Sequence, residues 1–77
     1  MGNNKKLLAK LENETIKKAE LETLLKRVGF NKIGGKGSHE VWFRAGFDPI
    51  TIATHSKEIK PYQQKQVKAV LKKGGLL

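Results

Sequence analysis

Two histidines and one glycine-rich loop are the parts of this 77-residue chain best equipped for chemistry. Gly34-Gly35-Lys36-Gly37-Ser38 runs directly into His39, and His55 ends a second β-branched segment. Glycines let backbone N–H groups come close to an anion, and the lysine among them adds a positive charge. The spacing is not that of a P-loop, and the segment leads into strand formers rather than a helix. A histidine pair suits metal-free cleavage of RNA. One imidazole takes the proton from a ribose 2′-OH while a second acid protonates the departing 5′ oxygen. The plainer alternative is a pair of ordinary surface histidines beside an ordinary hairpin loop.

Other chemistries find little support. The chain has no cysteine, which excludes disulfides and thiolate metal sites and permits a reducing compartment. No His-x-x-x-His exists, and Asp48 and Glu58 lack ligand spacing, so neither a metal nor a small-molecule cofactor is expected. Ser38 and His39 are strand neighbours that point to opposite faces, so they do not form a nucleophile and its base.

Charge is the strongest compositional signal. Sixteen Lys and Arg against seven Asp and Glu leave a net charge of +9, and most of the excess falls after residue 29. A domain this basic attracts polyanions, phosphate backbones foremost; self-repulsion for solubility is the alternative. Candidate RNA contacts are Lys36, Gly37 and Ser38 in the loop, with Lys57, Lys60 and Lys65 around the start of the last helix. A merely solvated lysine face is the competing reading there. Trp42, with apolar strand neighbours, is assigned to the core rather than to base stacking.

Seventy-seven residues suffice for one modest core, so residues 1–77 are read as a single domain. The longest strongly apolar run, Val41-Trp42-Phe43, is far short of the ~18–20 residues that span a bilayer. Met1-Gly2-Asn3-Asn4 leads into Lys5-Lys6 with no apolar segment behind it, so a cytoplasmic protein without membrane contact is expected.

The elements follow from periodicity. Residues 4–13 read as a short helix with a narrow stripe of Leu7, Leu8 and Leu11, expected to dock weakly. Leu21, Leu24, Leu25 and Val28 mark one face of a stronger helix over 18–28, ended by Gly29. Residues 30–33, 39–44 and 49–54 read as strands, the last two joined by a turn at 45–47. Pro61 opens a final helix with Val67, Val70 and Leu71 inward, and Gly74-Gly75 stops it. The order α-α-β-β-β-α describes an α+β sandwich, a three-stranded antiparallel sheet with its helices on one face. A turn at 45–47 pairs Trp42 with Ile50, Glu40 with Ile52 and His39 with Ala53. Trp42, Ile50 and Ile52 then face the helices. His39, Val41, Phe43, Thr51, Ala53 and His55 share the other face, with the two histidines as diagonal neighbours.

Taken together, several stretches resemble the HicA family of bacterial toxins. They are Glu20-Leu21 through Leu24-Leu25, Val28-Gly29-Phe30, Gly-Lys-Gly-Ser-His at 35–39 and Ile50-Thr51-Ile52. His55, Glu58-Ile59-Lys60-Pro61 and Val70-Leu71-Lys72-Lys73-Gly74-Gly75-Leu76 complete the set. The resemblance covers about residues 18–77, leaving residues 1–16 as an N-terminal helical extension to a 17–77 core. It implies a double-stranded-RNA-binding-domain-like fold, metal-independent endoribonuclease action on mRNA, and neutralisation by a HicB-type antitoxin. By that likeness His39 occupies the position of the catalytic histidine, and His55 that of a second histidine whose role is held less firmly. A basic RNA-binding module of the same fold without chemistry is the alternative.

Overall fold

The computed structural model describes residues 3–35, 37, 39–53 and 58–77. Three helices, α1 (Asn3–Asn13), α2 (Lys18–Arg27) and α3 (Pro61–Lys73), accompany three strands, β1 (Asn31–Gly34), β2 (His39–Phe43) and β3 (Ile50–Ala53). The strands form one antiparallel sheet in the order β1-β2-β3. Trp42, Ile50 and Ile52 on the sheet meet Leu21, Leu24 and Leu25 from α2 and Val67 and Leu71 from α3 in one buried cluster. The protein is thus an α+β fold in the expected α-α-β-β-β-α order, compatible with a double-stranded-RNA-binding-domain-like arrangement.

Helix α2 ends where glycine permits it. Gly29 takes a φ of +92°, its N–H bonds to the Lys26 carbonyl, and the Phe30 N–H reaches back to Leu25 O at 2.8 Å. This pair of bonds satisfies carbonyls that the helix leaves open, and only glycine adopts that φ without strain. Phe30 is spent on this cap and on the core, where it is 1% exposed, so β1 begins one residue later than the sequence suggests. Helix α3 ends the same way, with Leu76 N–H donating to Leu71 O at 2.9 Å.

The expectation that α1 docks weakly is corrected. Leu11 is fully buried, and Leu7 and Leu8 pack against the same cluster. Gln64 of α3 completes the attachment. Its side-chain amide donates to the carbonyls of Leu11 (2.7 Å) and Glu14, and its Oε1 accepts the Ile16 N–H. Lys10 adds an ion pair to Glu20 at 2.6 Å, and that bond, with the Lys17 N–H, holds the Glu20 carboxyl below its ordinary range. A narrow apolar stripe is enough because a polar side chain from a distant helix satisfies the backbone beside it.

Candidate active site

The β2–β3 register decides which side chains meet. His39 lies opposite Ala53, Glu40 opposite Ile52, Val41 opposite Thr51 and Trp42 opposite Ile50, as the turn at 45–47 predicts. Alternation then divides the strands between two faces. Trp42, Ile50 and Ile52 are buried beneath the helices, while His39, Phe43 and Thr51 are exposed on the open face.

His39 is the first residue of β2 and lines a shallow depression of about 440 Å³ together with Lys32, Ile33, Gly34, Gly35 and Gly37. The glycine loop and the histidine therefore belong to one site. Gly35 is required there by close approach: a Cβ on it would stand 2.2 Å from the His39 carbonyl oxygen and 2.7 Å from the Glu40 Cα. The loop backbone lies directly against the backbone that carries the histidine. A bulge in β1 between Lys32 and Gly34 inserts Ile33 without a partner on β2, and Ile33 is 61% exposed at the rim.

Beneath His39, on the covered face, stands a charge that the sequence reading did not single out. Glu40 is 2% exposed. Its carboxylate accepts the Trp42 indole N–H at 2.9 Å and lies 3.6 Å from the ammonium groups of both Lys18 and Lys32. Glu22 of α2 is within hydrogen-bonding reach of it as well. Burial alone raises the Glu40 pKa, but the Glu22 carboxyl, the Trp42 indole and the two lysines outweigh it, and the net shift is downward. Burial and the neighbouring Glu40 carboxylate push Glu22 the other way, upward. Of the two neighbouring carboxyls, Glu22 is thus the easier to protonate and Glu40 the harder. The signal was present in the alternation. A glutamate at a covered strand position must find partners, and Lys32, opposite Trp42, is within reach.

The other sequence candidates fall in different places. Gly37 lines the depression with His39. Lys60 is the residue before α3, and Lys65 lies on α3 beside Lys68 and the α1–α2 joint, so neither lines the depression. Lys36, Ser38, His55 and Lys57 lie outside the described residues. Among the described residues, no group of three or more His, Cys, Asp or Glu side chains could hold a metal ion, and no helix is long and apolar enough to cross a membrane.

These features define a small basic α+β protein with an exposed histidine in a glycine-edged depression. The chain belongs to the HicA toxin family: the family described as the HicA toxin of bacterial toxin–antitoxin matches residues 19–76. It is the toxin component of a toxin–antitoxin pair, so its partner is an antitoxin. Helix α1 lies outside the matched segment, although Leu11 belongs to the core. No curated protein and no solved structure matches the chain.

Proposed function

We propose that the protein is a metal-independent endoribonuclease that cleaves mRNA through His39 and is silenced by a HicB-type antitoxin. The observation that carries this reading is the position of His39, exposed on the open sheet face and sharing one depression with the glycine loop and Lys32. An RNA strand on that face brings a phosphodiester to the imidazole. The 2′ oxygen attacks phosphorus, the bond to the 5′ oxygen breaks, and a 2′,3′-cyclic phosphate forms. His39 takes or supplies one of the two protons that move, and His55 is assigned the other on the sequence pattern alone. Lys36 and the loop N–H groups offset the charge that gathers on the phosphate oxygens. Lys36, Lys57, Lys60 and Lys65 extend the contact along the RNA backbone, which makes binding weaken as salt rises.

Replacing His39 with alanine tests this directly. Cleavage should fall ~10²–10⁴-fold in His39→Ala while the fold and RNA binding persist. Wild-type cleavage should continue in EDTA and leave 2′,3′-cyclic or 3′-phosphate ends. A requirement for an added divalent ion, or full activity in His39→Ala, would sink the reading and favour an RNA-binding module without chemistry.

A further inference from the structure

We propose that Glu40 is a positioning residue for His39, acting through a buried ion-pair cluster that fixes the first turn of strand β2. The proposal rests on the ribonuclease reading of His39 and adds a residue that cannot itself touch an RNA on the open face. Three observations carry it.

The first is place. His39 opens β2, and among the described residues the His39–Ala53 pair is the last in the β2–β3 register. Ladder ends open readily when nothing else holds them. The direction of the His39 imidazole depends on how the backbone at this strand end is held.

The second is chemistry. Glu40 is the next residue, points to the other face and is almost wholly buried, yet it is charged. A lone buried carboxylate would be very costly, so its partners must stay in place around it. They come from three elements around the strand end. Lys18 and Glu22 reach it from α2, Lys32 from β1, and the Trp42 indole from β2 itself. The cluster therefore ties two neighbouring elements to the residue that follows His39.

The third is the clamp from the opposite direction. Gly35 lies so close to the His39 carbonyl and the Glu40 Cα that no side chain fits between loop and strand. Loop backbone and buried carboxylate together hold the peptide between residues 39 and 40. Lys32 belongs to the cluster and also lines the depression.

Glu40→Gln keeps an oxygen for the Trp42 indole but removes the charge that gathers the lysines. Lys18→Met removes one cation from the covered side, leaves the Lys32–Glu40 pair, and alters nothing that an RNA on the open face could contact. Both variants should be made in the full chain. In each, kcat for RNA cleavage should fall about 10- to 100-fold with KM nearly unchanged, the signature of a misaimed group and not of lost binding. The His39 backbone amide and imidazole resonances should shift or broaden in the RNA-free protein. A folded variant with wild-type kcat and unmoved His39 resonances overturns the proposal, as does lower thermal stability with unchanged kcat. Should the wild-type chain fail to cleave RNA, the ribonuclease reading falls, and the His39 resonances still decide whether Glu40 positions that side chain.

Discussion

The two faces of the sheet treat polar groups in opposite ways. On the covered face, Glu40 sits among Trp42, Ile50 and Ile52 and is met by the Trp42 indole and the ammonium groups of Lys18 and Lys32. On the open face, one residue earlier in the same strand, His39 is exposed at the edge of a depression. Strand alternation makes the division, since adjacent side chains leave the backbone in opposite directions. A one-residue slip of β2 would exchange the two roles, burying the imidazole and exposing the carboxylate. The active-site reading therefore depends on the turn at 45–47, where the Phe47 N–H bonds to Arg44 O at 3.0 Å and the Arg44 guanidinium stacks on the Phe47 ring. The open face and the core are specified together by one short hairpin.

The sharpest test of that division is on the covered side. Trp42→Ala removes the largest fully buried side chain and should destabilise the protein by about 3–5 kcal/mol, measured by denaturant unfolding. Phe43→Ser, one residue on and 39% exposed, should cost about 1 kcal/mol or less. Similar losses for the two would mean that the open face is covered by something in solution, and the contrast would fail.

The smallest effect concerns pH. Glu22 has a folded-state pKa above its unfolded value, so the native state binds its proton more tightly. Its contribution to stability is fully present at low pH and declines as pH rises from the ordinary carboxylate range through the raised folded value. Glu22→Gln removes that decline. The variant should be slightly more stable than wild type at neutral pH and no more stable near pH 3, where both side chains are neutral. A variant less stable at neutral pH would show that the Lys18–Glu22 ion pair at 3.4 Å outweighs the crowding of Glu22 against Glu40.

Local patterns were legible and remote ones were not. The spacing of Leu21, Leu24 and Leu25 gave α2, all three being buried, and Pro61 marks the start of α3. The short turn set the β2–β3 pairing residue by residue, and with it the side on which His39 stands. These features depend on neighbours a few residues apart. The bulge at Ile33 was not legible, because it arises where the glycine loop must pass over the His39–Glu40 peptide. The Lys18–Lys32–Glu40 cluster joins three elements; alternation places Glu40 on the covered face, but the reach of Lys18 from α2 is encoded in no single element. Gln64 is the extreme case. It reads as one more polar residue at a helix start, and its role depends on a carbonyl 53 positions away.

That distance bears on the order in which the protein can be completed. A chain is made from its N-terminus, so α1 is made before α3, which brings the side chain that caps Leu11 and Glu14. Closing so long a loop carries an entropy cost that the early segments cannot offset alone. The carbonyls of Leu11 and Glu14 therefore gain this side-chain partner only after Gln64 has been made.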